Sequence, residues 1–330
     1  MEISVIVPAY NAAPFLRDCL DNLLAQDFDD YEIIIVNDGS KDDTAAILSE
    51  IKDPRVRVIH QENSGAYRAR RSGILAADGK YIAFCDADDV PRRNWLSVLY
   101  KKATETDADI TVCGYSRVEE KTGRVIAKEM CLSAVVETDE DKLPLLFLNT
   151  GLCNKFFSAH LLREVYCLEN PPRISEDAIF LANIYPNVNR VAFVQDSLYD
   201  YIIRRGSLMS AVSLKDIEAI QNAFCDLRAS FSGSLAYFFA VFAVVNVAVV
   251  LPLLFRGKSG PVVRNMYQFL DKEFPAWRRS LPLKYVLKSP FRIKFLKIYI
   301  SVLCYRLHLF LPLVAVWQFA AYKLGISIKW

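Results

Sequence analysis

Three short polar runs interrupt the apolar N-terminal third of the chain: Pro8-Ala9-Tyr10-Asn11, Asn37-Asp38-Gly39-Ser40 and Asp86-Ala87-Asp88-Asp89. Tyr10 offers an aromatic face on which a nucleobase can stack, and Asp38 a carboxylate that can accept base N–H groups. Asp86 and Asp88 offer oxygen ligands for a hard divalent ion. A nucleoside diphosphate needs those three things together. Its own negative charge is tolerable beside acids only if a cation bridges phosphate and carboxylate, so Mg²⁺ or Mn²⁺ is expected. Taken singly, each run has an ordinary reading: an Asp-rich turn is usually a solvated loop or a helix cap, Tyr10 could be core, and Asn11 a turn residue. Their repetition at successive strand ends favours a binding site, because ligands of open α/β sheets bind beyond the carboxyl ends of the strands.

The elements that must position these runs alternate between β-branched segments and helical periodicities, the pattern of a parallel sheet with crossover helices. Strands are expected over 3–7, 32–36, 55–59 and 81–85, with a shorter one at 110–112. Helices are expected from Pro14 through Leu24, from a Ser40/Asp43 capping box through Ile51, over 66–77 and over 95–104. Further along, 143–148 and 159–163 read as short helical pieces, 191–194 and 198–203 as strands, and Ser213 with Asp216 caps another helix. Glu176 and Asp177 precede an apolar-periodic segment, which puts both acids in the first turn of a helix, where the macrodipole favours negative charge.

At this point the chain resembles glycosyltransferase family 2, through SVIVPAYN at 4–11, VNDGSKDDT at 36–44, ENSGAYRARRSG at 62–73 and YIAFCDADD at 81–89, in the family's order and spacing. The likeness continues more weakly through Asn154-Lys155, SEDAIF at 175–180 and RRGSLMS at 204–210. It implies an α/β fold of GT-A type, a Rossmann-like, mostly parallel sheet flanked by helices, and an inverting transfer from a nucleotide-sugar donor. By that resemblance Asp38 reads the uracil of a UDP-sugar, with Pro8, Ala9, Tyr10, Asn11 and Arg70 around the base. Asp86 contacts ribose or metal-bound water, Asp88 binds the metal, and Asp177 is the catalytic base. Arg204, Arg205 and Ser207 lie where the family often has a loop closing over the donor. Two departures stand out: Asn37 where the family often has Asp, and Arg71 where it often has Asn. The Q-x-x-R-W signature of processive members is missing, so one sugar per encounter is expected.

The 330 residues carry a net charge of only +2, but the charge is unevenly placed. Residues 231–330 hold 14 Lys/Arg against Asp271 and Glu273, which leaves the first 230 residues net acidic. A catalytic domain is therefore expected over 1–230 (a nucleotide-binding half, 1–115, and an acceptor-binding half, 116–230), followed by an apolar, basic helical region over 231–330. The stretch 231–255 has no charged residue and as a helix would be about 37 Å long, enough to cross a hydrocarbon core of ~30 Å. The cations that follow it oppose a single crossing by the positive-inside rule. Amphipathic helices lying on the anionic cytoplasmic leaflet are the expected arrangement, ahead of a true span or re-entrant hairpin and of an ordinary soluble helical subdomain. The second apolar stretch, 298–322, is interrupted by Arg306 and His308.

The eight cysteines are scattered without a C-x-x-C pair, which fits a reduced compartment rather than a zinc site. The N-terminus runs straight into strand pattern with no secretory signal. Aliphatic content in the basic region argues against nucleic acid as a partner. A surface-bound enzyme would meet a glycan or polyprenyl-linked acceptor, in the building of a cell-surface polysaccharide or glycolipid. Two rival functions are a sugar-nucleotide nucleotidyltransferase, which usually carries a Gly-rich phosphate loop that PAYNAAPF lacks, and a non-catalytic sugar- or lipid-binding module.

Overall fold

A computed structural model describes residues 1–163, 168–204, 212–255, 259–279 and 292–323, with side-chain surroundings given except at 292–295 and 317–323. The chain divides into two compact units: residues 1–140, 149–167 and 183–205 form one, and residues 141–148, 168–182 and 206–330 the other.

The first unit is built on a sheet of ten strands in the order β3-β2-β1-β4-β9-β6-β10-β5, with β7 paired to β6 and β8 to β10. Its first half is parallel: β1 (Ile3–Ala9) lies between β2 (Tyr31–Asp38) and β4 (Tyr81–Phe84), and β3 (Val56–Gln61) flanks β2. Ile33, Ile34, Ile35 and Val36 are each fully buried, as befits a parallel strand covered on both faces, and this explains why β2 reads as a continuous apolar run. The crossovers are α1 (Leu16–Leu24), α2 (Thr44–Ser49) and α3 (Ala66–Ala76). In α1, Leu16, Cys19, Leu20 and Leu23 recur at helical spacing and form its buried face.

Beyond β4 the pairing is mixed. β9 (Lys155–Ser158) lies antiparallel between β4 and β6 (Ile110–Glu119), and β6 runs parallel to β10 (Arg190–Ile203). β7 (Val125–Glu129), β8 (Ala134–Glu137) and the two-residue β5 (Val90–Pro91) add antiparallel edges. The two strands expected at 191–194 and 198–203 are one element, a 14-residue strand whose register slips between Val194 and Ser197 and again before Tyr199. The slip carries the chain past Gln195 and Asp196, whose exposed side chains broke the apolar run.

The Ser40/Asp43 capping box does not form. Asp43 occupies the N-cap of α2 without a side-chain cap, because Ser40 Oγ accepts the Asn11 amide at 3.0 Å and Asp42 accepts the Thr44 amide instead. The second expected box does form: Ser213 and Asp216 exchange side-chain and backbone bonds at the start of α7 (Leu214–Arg228). Arg173 adds a two-pronged ion pair to Asp216, at 2.6 and 2.8 Å.

The second unit takes in α7, so the compact division does not follow the composition change at residue 230. Its reason is aromatic packing: Phe224 of α7 stacks on Phe239 at 5.4 Å, and Phe239 on Phe231 at 4.0 Å. The helix Ser234–Leu254 is apolar and long enough to cross a membrane, yet 72% of its most apolar window is buried inside the protein. It widens to π geometry over Val244–Val249, just ahead of Pro252. Proline has no amide to offer the carbonyl four residues back, that of Ala248, and its ring crowds that oxygen. The hydroxyl of Tyr305, a fully buried residue, donates to the Ala248 carbonyl in its place.

A Cβ at Gly73 of α3 would stand 2.4 Å from Ile6 Cγ2 on β1. Gly73→Ala is expected to destabilise the protein by about 1–3 kcal/mol, read as a lower midpoint in urea. Asp216, held down to about 2 first by Arg173 and then by Ser213 against its ordinary 3.8, should give stability that is whole above pH 4 and drains away as pH falls through 2. Asp216→Asn should flatten that acid limb and cost ~1 kcal/mol at neutral pH.

Candidate active site

Parallel register brings the three polar runs to one edge of the first unit's sheet. Ala9 stands beside Asn37, and Asp38 beside Gln61. Ile6 pairs with Phe84 and its carbonyl accepts the Cys85 amide, so Asp86 leaves β4 next to where β1 ends. Pro8 and Ala9 are the last residues of β1. Tyr10, which follows them, is 47% exposed, an uncommon state for a large aromatic at the end of a buried strand.

Asn11 turns the chain in the left-handed region, φ 50°, where Asn is one of the few tolerated side chains. Its Oδ1 accepts the Lys41 amide at 2.8 Å while its own amide reaches Ser40 Oγ, so the first two polar runs are tied together. Asp38 is only 3% exposed. Its Oδ1 accepts from the Ser64 amide at 2.9 Å and Gln61 Nε2 at 2.7 Å, and its Oδ2 from the Gly65 amide at 2.8 Å. The carboxylate thereby fixes the loop that opens α3, the helix carrying Arg70.

Arg70 is nearly buried and its guanidinium meets Asp86 Oδ1 at 3.0 Å. Arg204 meets Asp88 Oδ2 at 2.7 Å and Glu120 at 3.0 Å, and lies over the Phe15 ring at 4.2 Å. Each acid of the Asp-x-Asp run thus faces one guanidinium. Burial, and then the neighbouring Asp86 charge, raise the Asp88 carboxyl above the usual range, with Arg204 opposing them. Asp89 is raised further, by burial first and Asp86 second. It is 2% exposed, and its Oδ1 accepts the Ile202 amide at 2.9 Å.

β10, whose role in the site composition did not reveal, secures this acidic turn. The hydroxyl of the fully buried Tyr199 accepts the Asp86 amide at 3.1 Å, Ile202 holds Asp89, Asp200 pairs with Arg92 at 2.7 Å, and Arg204 follows the strand's end. Asn154 and Lys155 are both fully buried. Lys155 Nζ donates to Asn149 Oδ1 and Asn154 Oδ1, and Asn154 Nδ2 to the Cys113 carbonyl, which makes them organisers of the 149–155 loop. Asn37 bonds His60 at 3.1 Å and Arg71 reaches the carbonyls of Leu162 and Arg163, so both departures from the family pattern have local partners.

Asp177 belongs to the second unit. It stands with Glu176 in the first turn of α6 (Glu176–Ile184), half-buried, directly after Ser175, whose φ of 58° is rare for a residue other than Gly, Asn or Asp. Arg205 and Ser207 lie outside the described residues.

A divalent ion suits the donor set of the Asp-x-Asp run. Asp86 and Asp88 keep 34% and 44% of their side-chain area exposed. Among the described residues no three His, Cys, Asp or Glu cluster into a complete cage. Two carboxylates with room for phosphate and water are what Mg²⁺ or Mn²⁺ takes when it arrives with a nucleotide.

Comparison with known proteins agrees with this layout. Residues 4–163 match the family model described as glycosyl transferase family 2. Glycosyltransferase GlyG of Streptococcus pneumoniae is 33% identical over 220 residues, 63% of this chain and 72% of that protein. A poly(ribitol-phosphate) β-glucosyltransferase of Bacillus spizizenii is 30% identical over 71% of this chain, which spans only 37% of that longer protein. Among solved structures, S. aureus TarS 1–349 in complex with UDP-GlcNAc superposes with a TM-score of 0.69 at 21% identity, covering 93% of this chain and 92% of that one. The mannosyltransferase PcManGT from Pyrobaculum calidifontis, solved with GDP-Man and Mn²⁺, gives 0.53 at 16% identity, over 94% of this chain and 87% of that one. The chain belongs to glycosyltransferase family 2 and is a glycosyltransferase with the mixed α/β architecture of the GT-A fold.

Proposed function

We propose that the protein is an inverting, non-processive glycosyltransferase that moves a sugar from a UDP-sugar to a hydroxyl of a glycan or polyprenyl-linked acceptor, in cell-surface polysaccharide synthesis. The observation that carries the donor half of this reading is the pairing at the β4 end: Asp86 with Arg70 and Asp88 with Arg204, beside the exposed ring of Tyr10. Acids and cations alternate there, as a bound ion and its diphosphate require. The TarS complex with UDP-GlcNAc and the relative acting on poly(ribitol-phosphate) support the donor and acceptor classes.

In this reading Tyr10 stacks on the base, and Asp38 positions the 61–65 loop that walls the base site and reads the base through its carboxylate. Asp86 and Asp88 would hold the ion, which when bound offsets charge on the departing diphosphate. Arg70 lines the pocket around the base, and Arg204, with Arg205 and Ser207, holds phosphate oxygens. Asp177 takes the proton of the acceptor hydroxyl as that oxygen bonds to the anomeric carbon, the bond from that carbon to the donor phosphate breaks, and UDP leaves with its electron pair. Attack from the face opposite the leaving group inverts the centre. The basic C-terminal region places the enzyme peripherally on the cytoplasmic face of the membrane, where lipid-linked acceptors lie.

UDP release from a panel of UDP-sugars, with and without Mn²⁺, tests this reading. Asp88→Ala should lose at least ~100-fold in turnover and its response to Mn²⁺. Asp177→Asn should lose a similar factor in kcat while binding UDP as tightly as the native protein. Equal turnover by native protein and Asp88→Ala would remove the metal assignment, and equal turnover by Asp177→Asn would remove the base.

A further inference from the structure

The helix Arg292–Arg306 has two apolar faces, and the protein uses only one of them. Ile298, Ser301, Val302 and Tyr305 are buried, with Tyr305 anchored on the Ala248 carbonyl. At 3.6 residues per turn, Leu296, Ile300, Leu303 and Leu307 emerge on the opposite side. They are 44%, 42%, 36% and 56% exposed. Past a bend of 120°, Leu309 is 51% and Val316 69% exposed. Single exposed leucines are ordinary, but a full helical stripe of them marks an interaction surface.

Charge identifies the occupant. On the helical wheel Lys297 and Arg306 fall about 90° to either side of the leucine stripe, the placement of cations that reach polar headgroups while their helix rests in the interface. No acidic residue follows Glu273 in the sequence. The region's two acids are already engaged, Asp271 by Arg278 at 2.8 Å and Glu273 by Arg228 and Lys272. A second copy of this face would set cation against cation. An anionic lipid surface offers negative charge outside and hydrocarbon beneath, and matches both parts of the pattern.

We propose that the stripe Leu296, Ile300, Leu303 and Leu307 is the face on which the protein lies on an anionic bilayer. The long apolar helix Ser234–Leu254 serves instead as the core on which this face is mounted. The proposal deepens the membrane part of the function above and rests on it, but not on the transfer chemistry, since binding is measured without nucleotide.

The experiment is co-sedimentation of the full chain with vesicles of phosphatidylcholine containing about one quarter phosphatidylglycerol, and with vesicles of phosphatidylcholine alone, at ~0.1 M salt. Native protein should favour the anionic vesicles. Leu303→Ser with Leu307→Ser should weaken that partitioning at least ~10-fold with the thermal midpoint retained. Leu75→Ser, which alters a leucine 69% exposed on α3, should bind as the native protein does. Native-like binding by the double variant would overturn the proposed face while leaving membrane association standing. Failure of native protein to bind either vesicle would overturn both, and equal binding to the two vesicles would remove the anionic partner. A native dimer in light scattering that the double variant converts to monomer, with vesicle binding unchanged, would assign the stripe to self-association.

Discussion

Three carboxylates within four residues, at the end of a parallel strand, are the constraint around which the first unit is organised. Asp86, Asp88 and Asp89 repel one another, and Asp89 has almost no access to water. Such a turn persists only if the surrounding chain supplies cations and donors in fixed positions. It does so from two elements: Arg70 from α3, and from β10 Arg204 at its end with the backbone of Ile202 and the hydroxyl of Tyr199. The long slipped strand β10, the fixed start of α3 and the clamp between Asn11 and the 40–41 loop are the means by which a repulsive cluster is held in place.

Much of this was legible in sequence because local rules and the fold agree where the sheet is parallel. β2 reads as a strand since both its faces are covered, and α1 reads as a helix since its buried residues recur at one spacing. The Ser213/Asp216 box formed where it was expected, for among the described residues the Ser213 hydroxyl bonds only within the box. Ser40 offered the same signal and failed, because the Asn11 amide, 29 residues away in sequence, claims its hydroxyl. A capping pattern states what a side chain can do locally and carries no information about a donor that only the fold delivers. The short strands β5, β7 and β8 escaped for the same reason: they are short edge strands whose identity depends on which partner the sheet brings alongside, and β9, though buried between β4 and β6, is only four residues long. Asp38 is the subtler case. Its type and place at a strand end were readable, whereas the share of its carboxylate spent on the Ser64 and Gly65 amides was not.

The C-terminal region shows hydropathy and burial pulling apart. By composition Ser234–Leu254 is the most lipid-like segment of the chain, and the unbroken apolar run says nothing about which atoms will cover it. Pro252 breaks one backbone bond near its C-terminal end, the helix widens ahead of the break, and Tyr305 fills the freed carbonyl from the neighbouring helix. A buried polar repair of that kind ties the two helices in register, and it turns the inner face of Arg292–Arg306 toward the core. Once that face is set, helical periodicity leaves Leu303 and Leu307 no choice but to point away. The position of the exposed stripe is therefore set by what the opposite face buries, Ile298, Val302 and the Tyr305 hydroxyl held on Ala248, rather than by the stripe's own sequence.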